Sequence, residues 1–256
     1  MNWRKAKTRE SFVKSEDAAV IREFRNTHVG ERCFIIGNGP SLTAKDLTLL
    51  KDEFTFASNR IYYMFDETEW RPSMYLCSDA DVLIEELSTI KKLNLPNKFV
   101  NLTAKKFGRK KEDNLHYFFI DGKFLLDKKQ DVQTEVSEDV AHHFSKTRTV
   151  TCTAIEFAIY MGFKEIYLLG CDHSYAITQY SDGTVVKNDG VTNYFKGMKG
   201  SQSIAIHPID KATECYQICR DYADAHGIKI YNATRGGKLE VFERASLDKV
   251  IGEKEK

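Results

Sequence analysis

The chain has 256 residues, with 38 lysines and arginines against 37 aspartates and glutamates and a net charge of +1. That length buries a sizeable core and suits one domain with room for an inserted lid. The charge balance gives no reason to expect a nucleic-acid partner. Ordinary apolar and charged fractions exclude disordered and fibrous classes, and no apolar run reaches bilayer length.

The opening stretch, MNWRKAKTRESFVKSEDAAVIREF, is charged throughout and lacks an apolar signal core, which reads as a cytoplasmic protein with a solvated N-terminal tail. Arg4, Lys5, Lys7 and Arg9 allow at most a peripheral membrane contact. From about Glu16 to Arg25 the spacing predicts an amphipathic helix with Ala19, Val20 and Phe24 inward. RCFIIG is strand-like, and Thr43 to Lys51 reads as a short helix capped by Ser41 or Thr43. FTFAS (54–58) and SMYLCSD (73–79) are further strands, the second followed by a helix through ADVLIEELSTIKKL. KFVNLT (98–103) and LHYFFID (115–121) complete the strands of the first half.

A polar stretch from Gly122 to Arg148 follows, with His142 and His143 read as loop or cap residues. VTCTAIEFAIYMGF then predicts a helix closed by Gly162, and KEIYLLGCD (164–172) is the strongest strand. The segment 173–207 is long, glycine-studded and tyrosine-bearing, the composition of an active-site lid. PIDKATECYQICRDYADAHG predicts a long helix stopped by Gly227, and IKIYNAT the last clear strand. The six cysteines (33, 77, 152, 171, 215 and 219) form no Cys-x-x-Cys pair and read as reduced structural thiols.

Strands alternating with helices imply an α/β fold with a mainly parallel sheet covered on both faces. Ligands of such sheets bind beyond the carboxyl ends of the strands. Each polar or glycine-rich loop of this chain follows a strand: Gly37–Ser41, Ser58–Arg60, Ser78–Asp81 and Gly170–Tyr175. Gly37 and Gly39 bracket Asn38 at the first of these. Without β-carbons, their N–H groups are expected to approach a phosphate at the following helix N-terminus. The turn lacks the third glycine of a dinucleotide fold and the Gly-Lys-Ser/Thr of a P-loop, so by local chemistry it is equally open to a bland tight turn.

IIGNGPSL, FASNRIYY, RTVTCTAIEFAIYMGFKEIYLLGCDHSY and GIKIYNATRGGKLEVF, in this order over about Arg32 to Phe242, resemble the small bacterial sialyltransferases. They are similar also to the related domain of flagellin-glycosylating motility-associated factors and to the hydroxymethylpterin diphosphokinase-like family. The resemblance implies a single Rossmann-like (GT-A-like) α/β domain with a flexible lid over a nucleotide-sugar site. It divides the chain into a tail and helix (1–30), a catalytic domain (31–250, lid about 173–207) and a short tail (251–256).

The activity implied is transfer of a sugar, a sialic-acid-like nonulosonate from a CMP-sugar, to a glycan or protein acceptor without a metal. Gly37, Asn38, Gly39, Ser41, Asn59, Ser78, Thr151, Gly170 and Asp172 match nucleotide-binding positions; Cys152 stands where those enzymes carry serine. Tyr175 and Tyr180 match the tyrosines on the departing phosphate, with Tyr194 a further candidate. His207 matches the general base, with His173 its rival. Asp79 and Asp81 form an Asp-x-Asp that either caps a helix or grips a divalent metal on a diphosphate. The metal role belongs to two alternatives: an ATP- and magnesium-dependent pterin diphosphokinase, or a transferase using an NDP-sugar. A non-catalytic nucleotide-sugar-binding module and a homo-oligomer stay open as well.

Overall fold

Short runs with no polar alternation, such as CFII and MYLC, suit strands covered on both faces. In the computed structural model, which describes residues 3–107, 114–121, 135–198 and 206–252, they are buried strands. The strands are β1 Arg32–Ile36, β2 Thr55–Ser58, β3 Met74–Cys77, β4 Lys98–Asn101, β5 Leu115–Phe118, β6 Glu165–Leu169, β7 Ile177–Gln179, β8 Val185–Lys187, β9 His207–Pro208, β10 Lys229–Asn232 and β11 Glu243–Arg244. The helices are α1 Trp3–Val13, α2 Glu16–Glu23, α3 Ala44–Leu49, α4 Ala80–Lys92, α5 Val150–Met161, α6 Ile209–Ala225 and α7 Leu247–Gly252.

Eight strands form one sheet in the order β11-β10-β6-β1-β2-β3-β4-β5, and all their described pairings are parallel. From β1 the chain steps outward to β5, then returns across β1 to β6 and steps outward the other way. The order therefore reverses between β1 and β6, where a sheet of this kind opens a crevice at its carboxyl edge. Side chains of β1 alternate between two cores. Cys33 and Ile35 join the core beneath α1, α2, α5 and α6, whereas Phe34 and Ile36 join the one beneath α3, α4 and α7. Reversal of strand order under right-handed crossovers moves the connecting helices to the opposite face. This α/β architecture with a mostly parallel sheet is the one the alternating pattern implies.

Local chemistry sets the helix ends. Thr43, rather than Ser41, caps α3 in a reciprocal capping box with Asp46. Asp79 caps α4, and Gly162 ends α5 in the left-handed region at φ +93°. Three expectations need correction. The inward face of α2 is Asp17, Ala18 and Ile21, while Ala19 is exposed and Val20 and Phe24 only flank the core. Residues before Ser15 are not all tail: α1 covers Trp3–Val13, with Phe12 buried and Arg9 paired to Asp121 at 3.1 Å. At the other end α7 takes in Ile251 and Gly252.

Segment 173–207 holds a second small sheet, β8-β7-β9, in which β7 pairs antiparallel with β8 and parallel with β9. Residues 199–205 of the expected lid, 122–134 of the polar stretch, and 1–2 and 253–256 of the tails lie outside the described residues. No helix among the described residues is long and apolar enough to cross a membrane.

Candidate functional site

Because the large sheet is parallel, the loops after β1, β2, β3 and β6 emerge on one edge, where they surround a cavity of about 400 Å³. Gly37, Asn38 and Gly39 line it from β1, Asn59 from β2, and Ser78, Asp79 and Asp81 from β3. Gly170, Asp172 and His173 line it from β6, and Thr151 from the start of α5. Tyr175, Tyr194 and His207 close it from the lid segment. A second hollow of about 620 Å³ lies between residues 135–139 and α6, but Glu135, Glu138, Asp139 and Asp221 on its wall make it hostile to a polyanionic nucleotide.

The glycine turn does something other than its sequence suggests. Gly37 N donates to Leu169 O at 2.8 Å and Gly39 N donates to Gly170 O at 2.9 Å, so neither N–H is left for a phosphate. A β-carbon on Gly37 would stand 2.3 Å from Gly170 O, and one on Gly39 would stand 1.9 Å from Asp172 Oδ2. The glycines exist because the turns after β1 and β6 interlock at the point of strand reversal. Ser41 belongs to the same knot. Its hydroxyl donates to Asp172 Oδ2 at 2.8 Å, and it does not line the cavity. Burial raises the Asp172 pKa, while the Ser41 hydrogen bonds pull the other way.

The two asparagines present unpaired atoms. Asn38 donates through Nδ2 to Ser58 O at 3.0 Å, which orients its amide and leaves Oδ1 buried without a partner. Asn59, at φ +51°, also has a buried and unpartnered Oδ1. His207 Nε2 and His173 Nδ1 are in the same condition. Buried polar atoms are rarely left unbonded in a folded protein. Four of them border this one cavity, and the two asparagine oxygens among them are acceptors open to a ligand's hydrogen-bond donors.

The lid segment is fastened to this edge. Phe195 N donates to Asn38 O at 3.0 Å, while within the segment Ala176 N donates to Asn193 Oδ1 at 2.7 Å and Asn188 Nδ2 donates to Tyr175 O at 2.8 Å. Tyr175 stacks on the His207 ring with centroids 4.0 Å apart and planes 15° from parallel. Burial lowers the His207 pKa below its usual 6.5 and raises that of Tyr175, so at neutral pH the imidazole is an uncharged base and the phenol a proton donor. Tyr194 is likewise raised, by burial and then by Asp79.

Besides Ser41, two residues expected at the site are not brought in. Tyr180 is 42% exposed at the turn after β7, where its backbone N–H closes the hairpin on Thr184 O, and it does not reach the cavity. Cys152 is fully buried on the inward side of α5, with its thiol pKa raised by burial, so of the pair only Thr151 faces the cavity. His142 and His143 sit in a turn with their Nδ1 atoms 3.0 Å apart, and His143 borders the acidic hollow instead. The sequence reading missed Arg148, an exposed residue of the cavity wall just before the Thr149 cap of α5. Its signal lay in the RTVTC motif, where a cation next to a helix N-terminus offers a second attraction for a phosphate.

The carboxylates supply little for a metal. Asp79 Oδ1 accepts from Asp81 N at 2.9 Å and Val82 N at 3.3 Å, which spends that oxygen on the helix cap, and Asp81 is exposed. No group of three or more His, Cys, Asp or Glu among the described residues is arranged to hold a metal ion. Among the described residues the donor set does not make a protein-supplied metal cage.

A family model described as 6-hydroxymethylpterin diphosphokinase MptE-like matches residues 9–178. The chain belongs to the MptE-like family. The match runs from α1 to the first lid strand and so takes in the turns after β1, β2, β3 and β6. No curated protein matches the chain. Among solved structures, the MAf glycosyltransferase of Magnetospirillum magneticum AMB-1 has a TM-score of 0.50 at 14% identity over 91% of this chain. The present chain spans only 38% of that protein, and the likeness is one of fold. The sialyltransferase CstII of Campylobacter jejuni, solved with cytidine-5'-monophosphate, has a TM-score of 0.41 at 15% identity over 86% of each chain. The same enzyme with CMP-3FNeuAc scores 0.36 at 13% identity, covering 84% of this chain and 85% of that one.

Proposed function

We propose that this MptE-like chain is a cytoplasmic glycosyltransferase that takes a nucleotide-activated sugar into the cavity at the carboxyl edge of its sheet. The favoured donor is a CMP-nonulosonate and the acceptor a hydroxyl of a glycan or protein. The observation that carries the reading is the convergence of Asn38, Asn59, Tyr175, Tyr194 and His207 on one cavity at the point of strand reversal. The fold shared with a glycosyltransferase and the ordered motifs from Arg32 to Phe242 support it.

In this reading the unpartnered Asn38 and Asn59 carbonyl oxygens accept from donors on the nucleoside. His207, neutral through burial, takes the proton of the attacking hydroxyl as its oxygen bonds to the anomeric carbon. The bond from that carbon to the phosphate oxygen breaks, and the nucleotide leaves with the electron pair. Tyr175 and Tyr194 donate hydrogen bonds to the developing phosphate charge, and Arg148 with the α5 N-terminus lowers its energy further. A monophosphate leaving group carries a charge that such donors can offset, so the scheme asks for no metal.

Family membership favours one second reading, an ATP-dependent pterin diphosphokinase. The purified chain is to be incubated with CMP-sialic acid, CMP-legionaminic acid, and UDP-, GDP- and ADP-sugars, each with and without chelator. The transferase reading predicts chelator-indifferent release of a nucleotide. It fails if none of these is bound or hydrolysed. Chelator-sensitive AMP release from ATP with hydroxymethylpterin would install the second reading in its place.

A further inference from the structure

His173 follows Asp172 beyond the end of β6 with φ +52°, in the left-handed region that a non-glycine residue keeps only when its surroundings enforce it. It is 8% exposed and lines the cavity. Its Nε2 lies 2.8 Å from the Thr213 hydroxyl, and that hydroxyl donates to Ile209 O at 2.9 Å one turn back along α6. A hydroxyl has a single proton to give. With that proton on Ile209 O, the Thr213 oxygen accepts, and Nε2 is the protonated ring nitrogen. Nδ1 is then a bare lone pair, buried and without a partner. The opposite tautomer would bury an N–H at Nδ1 with no oxygen to receive it, which is the rarer and costlier defect.

The surroundings give the lone pair nothing to bind. Tyr175 and Tyr216 meet the imidazole edge-to-face, at centroid distances of 6.0 and 5.5 Å. We propose that His173 Nδ1 receives a hydrogen bond from a neutral donor of the bound ligand, a sugar hydroxyl or amino group, and that Thr213 is the positioning residue that holds the ring in its Nε2–H form. Phosphate and carboxylate are the wrong partners, because a lone pair facing an anion repels it. Burial pushes the His173 pKa down to about 4, so the ring does not gain a second proton near neutrality. The identity of the ligand rests on the nucleotide-sugar reading; the tautomer does not.

The test uses the full chain labelled with ¹⁵N-histidine. Long-range ¹H–¹⁵N spectra near neutral pH separate protonated from bare ring nitrogens. Wild type and Thr213→Ser are expected to carry the His173 proton on Nε2, and Thr213→Val is expected to lose that single form. With CMP-sialic acid as the probe, Thr213→Val should raise KM about tenfold and leave kcat within about twofold, as loss of one buried hydrogen bond does. Thr213→Ser should restore the wild-type KM. His173→Asn keeps a side chain that tolerates left-handed backbone and should raise KM to a similar extent. A wild-type proton on Nδ1, or a Thr213→Val protein with tautomer and KM unchanged, overturns the proposal. If no nucleotide sugar binds even the wild type, the ligand assignment falls, and the spectra still decide the role of Thr213.

Discussion

Gly37→Ala separates two explanations of the glycine turn. If the turn is small so that a phosphate can approach it, alanine should weaken ligand binding and leave the empty protein intact. The geometry requires the opposite. The new β-carbon would lie 2.3 Å from Gly170 O, 2.9 Å from Gly170 C and 3.1 Å from Cys171 Sγ, where ordinary contact begins at 3.4 Å. The β1 and β6 turns would therefore have to part by about 1 Å, in a core that resists such strain at about 1–3 kcal/mol. The same seam carries the Gly37 N–Leu169 O and Gly39 N–Gly170 O hydrogen bonds, and weakening each costs about 1 kcal/mol. The expected loss is about 3–5 kcal/mol, which for a domain of this size lowers Tm by about 10 °C. Thermal unfolding of the ligand-free protein measures it. Gly252→Ala, in α7 with nothing within 4 Å of its β-carbon, serves as the control and should change Tm little. A Gly37→Ala protein with wild-type Tm and only a raised KM would refute the interlock.

If His207 is the base of the proposed transfer, His207→Ala should lower its rate by about 10²–10⁴-fold with little change in KM, measured by steady-state kinetics. Since burial depresses the His207 pKa, the group is deprotonated across the neutral range. The rate should be flat there and decline only as pH falls below 6.5, and an acid limb centred above 6.5 would contradict the assignment. On the transferase reading, Tyr175→Phe removes a donor to the leaving phosphate and should cost about 10²-fold in kcat, whereas Tyr180→Phe, exposed on the hairpin, should stay within about twofold of wild type. Glu156 is fully buried, accepts from Ser137 N and Ser145 N, and has its pKa raised from 4.5 to about 7. The folded state thus holds its proton more tightly than the unfolded one, so this group's contribution to stability is present below 4.5 and is lost as pH rises through 7. At about 1.36 kcal/mol per pKa unit the loss is about 3 kcal/mol. Glu156→Gln should flatten the stability-against-pH curve over that interval in urea titrations.

Much of the architecture was legible because its signals are local. CFII and MYLC are too apolar for a half-exposed strand, and alternation with helix-length segments leaves a parallel sheet as the natural arrangement. Asp79 and Gly162 announced helix ends through chemistry contained within a few residues of each. The phase of α2 was harder to read. Ala18, Ile21 and the buried Asp17 face inward while Ala19 does not, a choice made by the surface the helix meets rather than by its own spacing. The short strands β7, β8, β9 and β11 likewise owe their existence to neighbours, since two or three residues carry too little pattern to be recognised alone.

The candidate site divides in the same way. Residue types placed after strands pointed to Asn38, Asn59 and Tyr175 as neighbours, because in a parallel sheet every strand delivers its next residue to the same edge, whereas His207, just ahead of α6, was expected there only through the family resemblance. Only the tertiary structure could exclude Tyr180 and Cys152, add Arg148, and turn the glycines from phosphate ligands into the seam between two turns. Which N–H is already bonded, which face of a helix is covered and which lone pair is left bare all depend on contacts between segments distant along the chain. The sequence by itself determined the α/β layering and the edge where polar loops collect, through periodicity and turn chemistry. Partnership across that edge, from Gly39 with Gly170 to His173 with Thr213, was decided by packing alone.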